Sequence, residues 1–343
     1  MKRLLPLLCL TLFLAACAAP GQPPAAPTPT GLPVDWAALG LSGRLVYIRF
    51  LPESSQLVAL DLANGQRQTL FRGPEHSVLG AAAVSPDGEQ IVLSYSPPPG
   101  PQESFVFPGL YLMPADGSRA PQALTPFPSP DDSYYNPAWS PDGQYVYATH
   151  YRRGTGPQNP NRYTVERIGL DGQMTPLLED AVWPRVSPDG AQLAFLSFDL
   201  ETYRNDLYLA DIHGQGAVAL LPENALPTVD AHLFTPDGTS ILFSAANQSV
   251  AAQPTWLERL LGIQVASAHD VPSDWYRVST RGGEPARLTQ IHEAGLYGAF
   301  SPDGRYVAYI SQSGIYLLDP GSGEIRQISD ENVTGTVDWV AAR

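Results

Sequence analysis

Trp139-Ser140-Pro141-Asp142-Gly143, continued by Gln144, Tyr145, Val146, Tyr147 and Ala148, reads as the end of one strand, a tight turn and the start of a second strand. Proline presets φ, the aspartate side chain bonds its own backbone and glycine accepts positive φ, so the tetrad is a hairpin signal with a mechanism. The same tetrad stands at 85–88, 187–190 and 301–304, and with threonine in place of serine at 235–238. Each copy follows a large apolar residue (Val84, Trp139, Val186, Phe234, Phe300) and precedes an apolar run such as 90–95, 192–197 or 305–310. A third strand comes next, as in Leu110-Tyr111-Leu112-Met113, Asp206-Leu207-Tyr208-Leu209 and Ile315-Tyr316-Leu317-Leu318, and a short fourth strand closes the unit. Four strands in a repeat of roughly 40 to 50 residues is the arithmetic of a β-propeller blade.

The repeat, Trp/Phe-Ser-Pro-Asp-Gly followed by a hydrophobic strand, resembles that of TolB-like propellers, and the resemblance covers residues 43–340. It implies an all-β fold of four-stranded antiparallel blades. The two chain ends supply a sixth blade. Leu41-Ser42-Gly43-Arg44-Leu45-Val46-Tyr47-Ile48 reads like a degraded copy of 302–309, so the propeller begins with a second strand; 334–339 reads like a first strand, with Trp339 where Trp139 and Phe300 stand. The expected ring is closed by the C-terminal strand pairing with the strand at 44–50, which leaves no free edge. The tetrads are then turn builders, and Trp139, Trp183, Phe234, Phe300 and Trp339 are expected to pack between sheets.

Composition agrees. Of 343 residues 43% are hydrophobic and 16% charged, with 35 prolines and 30 glycines, which suits many short strands joined by turns. At the N-terminus Lys2 and Arg3 precede an apolar run that ends in Leu14-Ala15-Ala16-Cys17. The run is shaped like a secretory signal, and its end resembles a bacterial lipobox, in which the cysteine is lipidated after cleavage before it. Residues 1–16 are therefore read as a lipoprotein signal, Cys17 as the lipidation site, 17–33 as a proline-rich stalk and 34–343 as the propeller. Two or three acyl chains would hold such a protein at a membrane. Cys9 leaves with the signal, and Cys17 alone cannot form a disulfide within the chain.

Removing the signal takes Lys2, the only lysine, and leaves 18 arginines against 34 carboxylates. A surface of that sign repels nucleic acid. A chain without lysine also has no phosphate-binding Gly-Lys-Ser/Thr loop, no Schiff-base lysine and no Ser-x-x-Lys pair. The TolB-like resemblance brings to mind the propellers that gate prolyl oligopeptidase-type hydrolases, but no Gly-x-Ser-x-Gly motif occurs and there is no room for a hydrolase domain. No N-terminal α/β domain is read before the first blade, so the work of TolB with the Tol-Pal system is not expected to transfer. No nucleophile–base or carboxylate pair stands out by spacing, and no catalytic residue is assigned.

In this strand order the turn tetrads and the third-to-fourth turns share one face, and the second-to-third loops share the other with the blade connections. Length falls on the second face, in loops 96–108, 150–161, 198–205 and 246–273. Long loops on a rigid scaffold carry function. Within the longest, 254–262 has capping-box spacing at Thr255 and Glu258, predicting one or two helical turns whose apolar side is Trp256, Leu257, Leu260 and Leu261. That side either folds back on the fifth blade or contacts a partner. Each blade connection also carries a carboxylate: Glu75, Asp131 with Asp132, Glu179 with Asp180, Glu223 with Asp230, Glu293, and Asp330 with Glu331. His76 and His292 each stand nine residues before the serine of their tetrad. The candidate rim for a cation or an amine-bearing ligand is His76, Asp132 and His292; no tight ligand spacing such as His-x-x-x-His names a metal, and no cofactor is expected beyond a divalent cation there.

These residues point to a monomeric, exported, membrane-anchored propeller that binds another cell-envelope protein through its long-loop face. The alternative is a small-molecule, cation or glycan site at the acidic mouth, with lyase or hydrolase chemistry as its extension.

Overall fold

Six four-stranded antiparallel sheets follow one another along the chain. The computed structural model describes residues 34–342 apart from 53, 101–106, 127–130, 157, 199–203, 247–271 and 292. Blade one holds β1 (Arg44–Phe50), β2 (Ser55–Asp61) and β3 (Arg67–Arg72). Blade two holds β4 (Val78–Val84), β5 (Gln90–Ser96), β6 (Gly109–Pro114) and β7 (Gln122–Ala123). Blade three is β8 (Asp132–Trp139), β9 (Tyr145–Arg152), β10 (Arg162–Gly169) and β11 (Met174–Glu179). Blade four is β12 (Ala181–Val186), β13 (Gln192–Phe198), β14 (Asn205–Asp211) and β15 (Val218–Ala219). Blade five runs through β16 (Val229–Phe234), β17 (Ser240–Ala246), β18 (Ser273–Ser279) and β19 (Ala286–Arg287). Blade six runs through β20 (Tyr297–Phe300), β21 (Val307–Ser311), β22 (Gly314–Leu318) and β23 (Ile325–Ser329). The last strand, β24 (Val333–Val340), returns to blade one and gives the order β24-β1-β2-β3.

That return is the closure expected from the degraded motif at 41–48. Leu45 pairs with Trp339 and Val46 with Asp338. Trp339 Nε1 donates to the Ser42 carbonyl at 3.0 Å. The innermost strands of successive blades touch around the whole ring, β24 with β4, then β8, β12, β16, β20 and β24 again. Their unpaired edges are met by neighbouring side chains: Thr336 Oγ1 accepts from Ala82 N and donates to Ala82 O, and Asp338 Oδ2 accepts from Val84 N at 2.6 Å.

The turn tetrads are built alike. Ser85 Oγ donates to Asp87 Oδ1 at 2.6 Å and accepts from Gln90 N at 2.9 Å, while Asp87 Oδ1 accepts from Glu89 N at 2.9 Å. Ser140, Ser187, Thr235 and Ser301 repeat the arrangement. These bonds favour the carboxylate, and Asp237 is held down at about 2 by the Thr235 hydroxyl first and the Thr239 amide next.

Middle strands are sandwiched between neighbouring blades, so β2, β5 and β17 are buried on both faces and read as continuous apolar runs, whereas the outermost strands are largely exposed. The core divides into six apolar clusters, one at each blade interface. Leu57 and Val46 meet Leu79 and Leu93 between blades one and two, for example, and Ile310 and Leu317 meet Tyr47 and Leu60 between blades six and one. One element was not foreseen: a single helical turn, α1 (Trp36–Leu39), capped by Asp35 and ended by Gly40 in the left-handed conformation, with Trp36 and Leu39 packed on the blade six–one cluster. No helix among the described residues is long and apolar enough to cross a membrane.

Candidate functional site

On the face of the blade connections, blade three assembles a polar cluster. Pairing places Tyr134 opposite His150 and Asp132 opposite Arg152, while Glu166 lies opposite Ala148 on the other side of β9. Alternation along each strand puts all five side chains on one face of the sheet. His150 is buried between two carboxylates: its Nδ1 lies 2.8 Å from Glu166 Oε1, and its Nε2 is hydrogen-bonded to Asp132. The Tyr134 ring stacks on the imidazole at 4.3 Å and 12°, and Arg152 lies 3.5 Å from the same Glu166 oxygen. Burial alone would push the His150 pKa down, but the hydrogen bonds and charges of Glu166 and Asp132 outweigh it and hold the pKa above its ordinary value. Glu166 is only 2% exposed, and its Oε2 is buried without a hydrogen-bond partner.

The other rim carboxylates divide in two. Glu331 accepts from the Tyr47 hydroxyl, from Arg49 at 3.1 Å and from Arg67 at 3.1 Å. Burial would raise its pKa, but those donors hold it below the usual range. Glu293 accepts from Ser311 and Tyr316, and buried Asp230 accepts from Ala231 N at 3.0 Å. By contrast, Glu75, Asp131, Glu179, Asp180, Glu223 and Asp330 are exposed.

Of the rim candidates read from sequence, Asp132 is engaged by His150 instead of by His76. His76 is exposed on the connection between β3 and β4, where its φ is 66°. His292 lies outside the described residues, as do Cys17 and the predicted helical turns with Trp256, Leu257, Leu260 and Leu261. Among the described residues no group of three or more His, Cys, Asp and Glu side chains is placed to hold a metal ion. Sequence reasoning missed His150 and Glu166. The available signal was a glutamate between Val165 and Ile168 of a third strand, where the other blades carry apolar or small residues.

No family model matches the sequence, and no curated protein matches it. Among solved structures, the chain is similar to TolB from Acinetobacter baumannii at a TM-score of 0.60 and 18% identity, over 87% of this chain and 66% of that one. It is similar to a chain of the nidogen/laminin complex at a TM-score of 0.60 and 11% identity, over 86% and 98% of the two chains. Oligogalacturonate lyase from Vibrio parahaemolyticus follows at 0.50 and 10%, over 82% and 78%. At such identities the likeness is one of fold: the protein is a six-bladed, TolB-like β-propeller.

Proposed function

We propose that the protein is an exported, lipid-anchored binding propeller that holds another cell-envelope protein on its blade-connection face. The observation that carries this reading is the way that face is prepared. Its buried and half-buried carboxylates are tied to the chain's own groups, Glu331 to Arg49 and Arg67, Glu166 and the half-exposed Asp132 to His150, and Asp274 to Arg287 at 2.6 Å. The result is a rigid polar surface from which the long loops depart, the usual division of labour between scaffold and contact. A propeller fold within the nidogen/laminin complex supports the same use of the architecture. Affinity capture of the full-length chain from detergent-solubilised membranes tests it, beside a folded variant with Trp256, Leu257, Leu260 and Leu261 changed to Ser. A partner retained by the native chain and lost by the variant is expected; equal profiles for the two overturn the assigned interface.

One observation favours a second reading, a cation at this mouth. The buried, unpartnered Oε2 of Glu166 lies in a cluster with Asp132, whose side chain is 51% exposed. Calorimetry with calcium, manganese, zinc and spermidine decides it, since no heat with any of them ends the idea.

A further inference from the structure

Two residues before the serine or threonine of each turn tetrad, and at the matching place in β24, the innermost strands carry Ala83, Ala138, Arg185, Leu233, Ala299 and Asp338. Four of the six are small or apolar. The two charged residues belong to blades four and one, which in a ring of six stand opposite each other. All six line one cavity of about 320 Å³ at the turn-tetrad end of the channel, bounded also by Trp139, Phe300 and Trp339. Beneath it the channel narrows, because Trp183 of blade four and Tyr297 of blade six approach to 5.3 Å past blade five, whose residue at that level is only Ala231.

The fold does not explain this pair of charges. Arg185 and Asp338 feel each other's field, yet no ion pair joins them among the described residues. Asp338 spends one oxygen on Val84 N, and Arg185 makes a single long bond of 3.4 Å to the Pro137 carbonyl. Burial draws both toward their neutral forms, lowering the guanidinium pKa and raising the carboxyl pKa, and their mutual attraction offsets only part of that. His232, the neighbour of Leu233, is a third polar group of this region. It is 1% exposed, neither ring nitrogen has a hydrogen-bond partner, and burial with the Arg185 charge lowers its pKa to about 3, so it brings no competing positive charge. Both residues stay partly exposed, and two opposite charges held apart without an ion pair contribute little to the fold. They are what a site needs to recognise opposite charges on a ligand.

We infer that Arg185 and Asp338 form a binding site for a small zwitterion, an amino acid or short peptide with a free ammonium and a free carboxylate. The carboxylate pairs with the guanidinium, the ammonium with Asp338, and the apolar body lies against Trp139, Phe300 and Trp339. A simple anion would meet repulsion from Asp338 and a simple cation from Arg185, so opposed poles select for a molecule that carries both charges. The volume falls at the lower end of small-ligand pockets, which suits an amino acid or dipeptide. This site lies at the mouth opposite the proposed partner surface and does not depend on it.

Isothermal titration calorimetry of the full-length chain with L-leucine, L-phenylalanine and leucyl-phenylalanine tests the assignment. At least one of the three should bind, and its N-acetyl and C-amide forms should each bind roughly tenfold or more weakly, the loss of one charge-assisted contact. Arg185→Met and Asp338→Asn should lower affinity by a similar factor; the asparagine keeps an oxygen for Val84 N, and the capped ligands are read on the native chain, so the result does not rest on the variants folding. Heat from none of the three free zwitterions overturns the inference. So does equal affinity for free and capped forms, or unchanged binding by both folded variants.

Discussion

The two mouths of the channel differ in how their charges are met. At the blade-connection mouth, Glu331 is held by Tyr47, Arg49 and Arg67, and His150 is clasped by Glu166 and Asp132. At the turn-tetrad mouth, Arg185 and Asp338 line one cavity with no ion pair between them. The first arrangement fixes loops and strand ends in place, and removing a member should be felt in stability. The second adds little to stability and is free to serve recognition. A propeller can therefore be rigid at one end, where second to fourth strands, the blade connections and the start of β8 supply the charges, and receptive at the other, where the innermost strands do.

The largest effect should come from opening the ring on which both mouths depend. Ending the chain after Gly335 removes Thr336, Val337, Asp338 and Trp339, and with them most of β24 and the bonds to Ala82, Val84 and Ser42. Two buried apolar side chains and a closing strand should cost on the order of 5 kcal/mol or more, comparable with the whole stability of a typical domain. A thermal melt should lose its cooperative transition, while removal of residues 1–33 should leave the melt unchanged. Next comes Glu331→Ala, which takes the shared carboxylate from Arg49, Arg67 and Tyr47 at the blade-connection mouth. A loss of about 2 kcal/mol in urea unfolding is expected, because the buried Tyr47 hydroxyl loses its partner and two part-buried guanidinium groups lose their carboxylate. Arg49 keeps Gln56, and Arg67 keeps Gly65 and Ser329. A loss near zero would dissolve the contrast between the mouths.

The propeller was legible in the sequence because its turn chemistry is local. Serine, proline, aspartate and glycine each act within five residues, so Ser140 with Asp142 and Tyr145 can be read without knowing anything distant. Closure was legible as well, since 41–48 and 334–339 each keep part of the repeat. The helical turn at Trp36 was not, being a single turn with no periodicity to show. At the blade-connection mouth the rim carboxylates were legible but their partners were not. Asp132 reaches His150 through strand register, and β8 carries a bulge between Tyr135 and Ala138 that resets which residues stand opposite. At the turn-tetrad mouth, Arg185 and Asp338 show only when the six innermost strands are aligned on the tetrad and read as a column. Each is unremarkable within its own strand.

The double variant Arg185→Met with Asp338→Asn sharpens the comparison from the receptive side. It neutralises two partly desolvated charges that are not paired with each other and keeps the acceptor for Val84 N. Stability should hold or rise by about 1 kcal/mol, the pattern seen when apolar groups replace buried ions. A fall as large as that of Glu331→Ala would mean that the two charges are structural after all.

The smallest effect is a dependence on pH confined to the blade-connection mouth. The groups facing His150 are Glu166, Asp132, Arg152 and Tyr134, and the two carboxylates prevail in raising its pKa in the folded chain. A raised histidine pKa gives stability that is fully present below the unfolded value, near 6.5, and is lost as pH rises through the folded value. Asp132 is half exposed and Arg152 also lies near Glu166, so screening should keep the loss under about 1 kcal/mol. The melting temperature should therefore slope downward in the window just above pH 6.5, and His150→Gln should lose that part of the slope. A slope of the opposite sign would mean that burial, and not the two carboxylates, governs the imidazole, and the cluster would no longer count as internally neutralised. The double variant at the other mouth should leave the slope unchanged, since Arg185 and Asp338 contribute nothing to the His150 titration.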